Sequence, residues 1–204
     1  MSKEDTEEEE NKSNAIKVIL VGDSGTGKTQ LITVAAGFEF NSTSLTTTSC
    51  SYVQIKVQKD NKEYKINLWD TIGQEKYRSL TKIFVKDSNI VILVYDITSR
   101  ETFESLPYWH KIIEDILGKN IVLGVVGNKM DLYLEEKVKE SEGQEYAESI
   151  GAKFQLSSAK TNPKKFCNFI EELLDEYLSK FEVLNLNDSI NITTKLPKSR
   201  KKCC

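Results

Sequence analysis

From about residue 15 to residue 182, short apolar runs alternate with stretches whose apolar residues recur every three or four positions. Ala15–Val21 (AIKVILV) is mostly apolar and stops at Gly22, as expected of a strand covered on both faces. Lys28–Ala36 has helical spacing and is stopped by Gly37. Tyr52–Lys59 and Glu63–Trp69 alternate with period two around Asp60-Asn61, which predicts a β-hairpin. Asn89–Tyr95 and Asn120–Val126 are two more apolar runs. Between them lies a helix through Trp109, Ile112, Ile113, Ile116 and Leu117, with Pro107 in its first turn or kinking its start. A helix over Glu140–Ile150, stopped by Gly151, leads to a short strand near Lys153–Leu156.

The last helix has an N-cap candidate in Asn162 and a proline, Pro163, at its first position. Phe166, Phe169, Ile170, Leu173, Leu174, Tyr177, Leu178 and Phe181 then fall on one face, the pattern of a helix packed on a sheet. Strands alternating with helices predict an α/β fold. Its sheet is six-stranded and mostly parallel with one antiparallel strand, and helices cover both faces. In such folds ligands bind beyond the carboxyl ends of the strands.

Composition narrows this to one domain with short tails, since 204 residues at 39% hydrophobic suffice for a single sizeable core. With only 10 Gly and 3 Pro a collagen-like or low-complexity fibre is excluded. No apolar run approaches the roughly 20 residues of a spanning helix, and an acidic, polar N-terminus is not the expected start of a signal peptide. The net charge of −3 hides an asymmetry: residues 1–14 carry −4 and residues 185–204 carry +4. No continuous basic surface falls within the folded part, so a nucleic-acid partner is not expected. The expected organisation is an acidic disordered extension over 1–14, a folded domain over 15–182 and a flexible tail over 183–204. Cys50 and Cys167 stand alone and Cys203 and Cys204 are adjacent, which fits free thiols better than a disulfide framework.

The chemistry sits in the loops after strands. Gly22-Asp23-Ser24-Gly25-Thr26-Gly27-Lys28-Thr29 fits G-x-x-x-x-G-K-[ST] between a strand and a helix. Its glycines let backbone N–H groups of Ser24, Gly25, Thr26 and Gly27 wrap a phosphate chain. Lys28 supplies a point charge, and the Thr29 hydroxyl suits Mg²⁺. Asp70 ends a strand beside this loop and can hold the magnesium shell. Gly73 can donate its N–H to a terminal phosphate, and Gln74 has the donor and acceptor needed to orient a water. In Asn128-Lys129-Met130-Asp131, the Asp131 carboxylate can accept from a ring N–H and an amino group together, a pair that guanine has and adenine lacks. Lys129 can lie over the ring, Asn128 can tie loops together, and Ser158-Ala159-Lys160 can bring a backbone N–H to the guanine carbonyl.

With these motifs in order, about residues 15–182 resemble a small GTPase of the Ras superfamily, most similar to the Rab branch. The cues for the branch are Ser24, Trp69-Asp70-Thr71 and the Cys203-Cys204 pair. The resemblance implies a P-loop fold and a GTP/GDP cycle with Mg²⁺, in which Lys28 and Gln74 serve catalysis. It also implies a switch-one threonine that ligates Mg²⁺ with Thr29 and Asp70. Counting back from Trp69 without gaps gives Thr47, with Thr46 and Thr48 as alternative registers. The same count gives Phe40 as an aromatic beside the guanine edge or as ordinary packing. No arginine finger is evident in this chain, so a GTPase-activating protein is expected to bring one. An exchange factor, effectors, an escort protein with geranylgeranyl transferase, and a GDP-dissociation inhibitor are the other partners implied.

Two positions depart from the family's pattern. Thr47-Thr48-Ser49 replaces its usual Thr-Ile-Gly, and Ile72 stands where an alanine is usual. A β-branched side chain beside the γ-phosphate suggests slower hydrolysis or altered exchange, and at the extreme a GTP-dependent scaffold with negligible turnover. A metabolic P-loop kinase is a third reading, against which Asn128–Asp131 argues. Cys203-Cys204 is not a C-a-a-X box but resembles the doubly geranylgeranylated ending of Rab proteins, with Lys198–Lys202 adding attraction to anionic lipid. The implied location is the cytoplasmic face of an intracellular membrane, with a cytosolic pool.

Overall fold

The computed structural model describes residues 15–41, 47, 50–71, 78–118 and 121–193, with 78–81 and 181–193 described as backbone only. Six strands form one sheet in the order β2-β3-β1-β4-β5-β6. They are β1 (Ile16–Val21), β2 (Ser51–Lys59), β3 (Lys62–Asp70), β4 (Ile90–Asp96), β5 (Val122–Asn128) and β6 (Lys153–Leu156). Only β2 and β3 are antiparallel; β1 lies parallel to both β3 and β4, and β4, β5 and β6 continue the parallel ladder. The expected mixed six-stranded sheet is therefore present.

The hairpin turns at Asp60 and Asn61, whose φ values of 48° and 62° are the pair that a tight two-residue turn demands. Both residue types tolerate that region because their short polar side chains bond locally. Register follows from the turn, with Lys59 opposite Lys62 and Ser51 opposite Asp70. Lys59 pairs with Asp175 of the last helix, which fixes the hairpin's outer end.

The helices are α1 (Lys28–Ala35), α2 (Arg78–Val85), α3 (Arg100–Glu104), α4 (Leu106–Leu117), α5 (Glu140–Ser149) and α6 (Pro163–Thr193), with a 3₁₀ stretch at Met130–Glu135. Pro107 lies in the first turn of α4, where its missing N–H costs nothing. Alternate strand residues point to opposite faces, so one sheet feeds two cores. Val18, Leu20, Ile92 and Val94 meet α1 and α6 on one side, while Ile19, Val91, Leu93 and Val125 meet α4 and α5 on the other. Phe166, Phe169, Leu173 and Leu174 of α6 are fully buried, each contributing about 1.5–3 kcal/mol by leaving water.

The helix α6 runs on to Thr193, past the domain boundary expected at 182. No glycine or proline stands between Pro163 and Pro197, so nothing in that stretch forces a stop. Residues 1–14, and 194–204 with Cys203 and Cys204, lie outside the described residues. None of the helices is long and apolar enough to cross a membrane, among the described residues.

Because β1 is flanked by β3 and β4, the loops on its two sides diverge at its carboxyl end and leave a crevice. Gly22, Asp70, Asp96 and Asn128 all stand at that edge.

Candidate functional site

The crevice is a cavity of about 470 Å³, within the ordinary range for a small-molecule site. Ser24, Gly25, Gly27, Lys28, Thr29, Phe40, Thr47, Asn128, Lys129, Asp131, Ala159 and Lys160 all line it. One cavity thus gathers most of the residues singled out in the sequence. Gly73 and Gln74 lie outside the described residues, as do Ile72, Thr46, Thr48 and Ser49.

At one end, residues 22–27 turn sharply from β1 into α1. Gly27 has φ 90°, and a Cβ there would overlap the Asn128 amide. A side chain would therefore cost both backbone strain and the contact between two loops. No side chain caps the first turn of α1, so its N–H groups are available to an anion. Lys28 is only 5% exposed and donates from Nζ to the carbonyls of Gly22 at 2.8 Å and Asp23 at 2.7 Å. Burial pulls its ammonium down to about 8, against the opposing pull of Asp70 and Asp23. A polyphosphate would replace neutral carbonyls with charge and reverse that effect.

Next to Lys28, three oxygens converge. Thr29 Oγ1 donates to Asp70 Oδ2 at 2.8 Å, Thr47 Oγ1 lies 2.6 Å from Thr29 Oγ1, and Thr47 donates to Asp70 Oδ2 at 3.3 Å. Of the three switch-one threonines considered, Thr47 is the one among the described residues, and its hydroxyl stands at this point. The other carboxylate oxygen, Asp70 Oδ1, is buried with no hydrogen-bond partner among the described residues. Burial pushes the Asp70 carboxyl above its usual range although Thr29 and Lys28 pull it down. An unpaired buried carboxylate oxygen beside two hydroxyls is a hard oxygen donor set that fits Mg²⁺. No group of three or more His, Cys, Asp or Glu among the described residues offers an alternative cation site.

At the other end, Asn128 closes β5 and donates from Nδ2 to the Thr26 carbonyl at 2.8 Å. Lys129 adopts φ 65°, in the left-handed region, and its ammonium meets Asp96 Oδ2 at 2.6 Å. Asp96 Oδ1 in turn accepts from the N–H and the hydroxyl of Thr98, both at 2.8 Å. The buried carboxylate thereby fixes the direction of the Lys129 stem along the cavity wall. Ser158 Oγ donates to Asp131 Oδ1 at 2.6 Å and accepts the Thr161 N–H at 3.0 Å. That bond aims Asp131 while leaving its second oxygen for a ligand. Ala159 is buried and Phe40 partly exposed at the rim.

Asp96 is the residue that the motifs missed; its place at the carboxyl end of β4 was the available signal. Leu132, Gln30 and Asn41 also line the cavity without a motif to announce them.

Beside the Thr47–Asp70 end, aromatics cross the sheet onto α2. Tyr52 stacks on Trp69 with centroids 5.0 Å apart, Trp69 meets Phe84 at 6.3 Å, and Lys17 Nζ sits 4.7 Å over the Trp69 ring. Tyr52 is 46% exposed, so this run of rings is open to a partner.

Comparison with known proteins agrees with the geometry. The model of the Ras family matches residues 17–179. The chain is 40% identical to human (Homo sapiens) "Ras-related protein Rab-21" over 148 residues, 72% of this chain and 66% of that protein. It is 35% identical to "Ras-related protein RABA4b" of Arabidopsis thaliana over 177 residues, covering 86% of this chain and 79% of the relative. With "GTP-binding protein ypt2" of Schizosaccharomyces pombe it shares 29% over 192 residues, 93% of this chain and 96% of that one. The chain thus spans about two thirds of the Rab-21 relative and nearly all of ypt2.

Proposed function

The chain belongs to the Ras family, as a small GTPase of the Rab type, and from that premise we propose that it cycles between GDP- and GTP-bound states as a membrane-tethered switch in vesicle traffic. The observation that carries this reading is that one cavity has phosphate-type groups at one end and guanine-type groups at the other. Lys28, Thr29, Thr47 and Asp70 stand together there, with Asn128, Lys129, Asp131 and Ser158 opposite.

In this reading the base is chosen by Asp131, held by Ser158, and by the main-chain N–H of Ala159. Lys129 lies along the ring plane in the direction set by Asp96. The phosphates lie on the N-terminus of α1, and Lys28 exchanges the Gly22 and Asp23 carbonyls for phosphate oxygens. Thr29 and Thr47, with the Asp70 carboxylate beside them, would hold Mg²⁺, which when bound would neutralise charge on the outer phosphates. Gln74, by its resemblance to the family, orients the attacking water. The chemistry is mainly positioning and electrostatics, which suits slow turnover until an activating protein adds an arginine.

Thr47 is one residue of the stretch that leads into β2, and Tyr52 and Trp69 follow on β2 and β3. An effector seated on Tyr52, Trp69 and Phe84 would therefore rest next to the segment that senses the terminal phosphate. Exchange factor, escort protein with geranylgeranyl transferase, and GDP-dissociation inhibitor complete the expected set. Two prenyl chains on Cys203 and Cys204 would provide the stable anchoring that one chain does not.

Titration with fluorescent GDP, competed by GTP, GDP and ATP, tests the reading. GTP and GDP are expected to displace the probe at concentrations at which ATP does not. Equal displacement by ATP would overturn the assignment.

A further inference from the structure

The backbone register between β1 and β3 ends at the pair Ile19 and Trp69. Beyond it, the Thr71 hydroxyl reaches across and donates to the Leu20 carbonyl at 2.6 Å. Thr71 is 2% exposed and Leu20 is fully buried, so water does not compete for this bond. Asp70 stands between the last ladder pair and this bond. Its main-chain ties run the other way: it pairs with Ser51 of β2, and its carbonyl accepts Cys50 Sγ at 2.9 Å. Those contacts hold Asp70 to the hairpin. The Thr71 hydroxyl holds the same stretch to β1.

The tie to β1 matters because the phosphate loop hangs from that strand. Thr29, near the start of α1, is placed by β1 through residues 22–27, whereas Asp70 is placed by β3. The 2.8 Å between Thr29 Oγ1 and Asp70 Oδ2 is therefore a distance between two strand ends. Parallel strands beyond their last ladder bond are free to splay, and Mg²⁺, which demands near-ideal geometry, tolerates little of that. Thr71 borders the cavity, yet its hydroxyl proton is committed to the Leu20 carbonyl. Its β-branched side chain is stiff about χ1, which suits a fixed staple.

We propose that Thr71 is a positioning residue for the cation: through the Leu20 carbonyl it closes β3 onto β1 at the level of Asp70 and keeps that carboxylate opposite Thr29. The proposal rests on the nucleotide and Mg²⁺ reading above. Lys28 and Asp131, which serve the phosphates and the base in that reading, do not depend on the bond. Loss of the hydroxyl therefore weakens the hold on the cation, and through it the hold on nucleotide, while affinity without metal stays as it was.

The dissociation rate of fluorescent GDP from the full chain, chased with excess GDP, tests this when followed from excess chelator to saturating Mg²⁺. The midpoint of that series reports the affinity for the cation. Thr71→Val keeps the shape but removes the donor, and is expected to raise the midpoint about tenfold, the scale of one unmade buried hydrogen bond. Its release rate in excess chelator is expected to stay within about threefold of the parent, because the phosphate and base contacts are independent of the staple. Thr71→Ser restores the hydroxyl and is expected to bring the midpoint back to within about threefold of the parent. A threonine that only supports the fold would speed release alike at every Mg²⁺ concentration. That result, or an unmoved midpoint, overturns the proposal. At saturating Mg²⁺ in an Asp70→Ala background, Thr71→Val is expected to add nothing, and additive effects overturn the proposal as well. If Thr71→Val does not fold, Thr71→Ala replaces it, with the same expectations and the same overturning results. A parent protein that binds no GDP fails the underlying reading. A parent that binds GDP, with one midpoint shared by all variants, keeps that reading and removes Thr71 from it.

Discussion

Asn128 and Thr26 join the two ends of the cavity: the Asn128 side-chain amide donates to the Thr26 carbonyl at 2.8 Å, across 102 residues of chain. Both groups are buried, so the bond has no water to replace it. Asn128→Ala is expected to destabilise the fold by about 1–3 kcal/mol and to speed GDP release by roughly tenfold to a hundredfold. Thermal unfolding and release of fluorescent GDP measure the two effects. A release rate equal to that of the parent would show that the tie is not used in holding nucleotide.

Asp131 accepts Ser158 Oγ on Oδ1, and an amide at this position could accept the same bond. What changes in Asp131→Asn is the other arm, from an acceptor to a donor. Guanine offers an amino group there, whereas xanthine offers a carbonyl. The variant is expected to prefer xanthosine over guanosine nucleotides, each unmatched group costing about 1–3 kcal/mol. Competition of fluorescent GDP by GDP and by xanthosine diphosphate reads the preference directly, and an unchanged order would exclude Asp131 from base contact.

Arg100 grips Glu142 with both terminal nitrogens, at 2.6 and 3.0 Å, and the Lys139 N–H adds a third bond at 3.0 Å. First the Arg100 bond and then the Lys139 N–H hold the Glu142 carboxyl at about 2, below its usual 4.5. Its folded value lies under its unfolded one, so the stabilisation is fully present above about 4.5 and fades as pH falls toward 2. The melting temperature of Glu142→Gln should therefore lie below that of the parent near neutral pH. The gap should narrow progressively below about pH 4.5. A gap independent of pH would mean that the carboxylate's charge plays no part.

Ile72, which stands where the family usually has alanine, lies outside the described residues. The resemblance to the family leads us to expect that a β-branched side chain before Gly73 crowds the attacking water or the Mg²⁺ shell. Single-turnover hydrolysis of bound GTP is expected to be faster for Ile72→Ala than for the parent. Equal rates would leave the altered residue without a kinetic role.

Local signals announced much of this fold. The strand Lys153–Leu156 is bounded where the pattern put it, and the hairpin turns at Asp60-Asn61 because those residues tolerate positive φ. The phosphate and guanine motifs were legible because each is a contiguous run whose spacing follows from the ligand's shape. Helix α2 and the 3₁₀ stretch after Lys129 were not. The first is two turns long, and the second hangs on the Met130 N–H meeting the Ser157 carbonyl at 3.0 Å, a tertiary bond. The partners of the site were equally hidden. That Asp96 would meet Lys129 depends on β4 and β5 being neighbours in the sheet. Such pairings are properties of strand order, which no short window contains.

The cavity takes its walls from loops after β1, β3, β5 and β6, from Ser24 to Lys160. No contiguous fragment of the chain holds all of them, so a ligand that binds there recognises the completed sheet and not the unfolded chain. Nucleotide concentration then becomes a term in the folding equilibrium itself. Free ligand at about 1,000 times its dissociation constant adds roughly 4 kcal/mol, a large share of the stability of an ordinary domain. Unfolding midpoints of this protein are expected to rise with the logarithm of GDP concentration, and emptying the cavity amounts to a thermal stress on the whole fold.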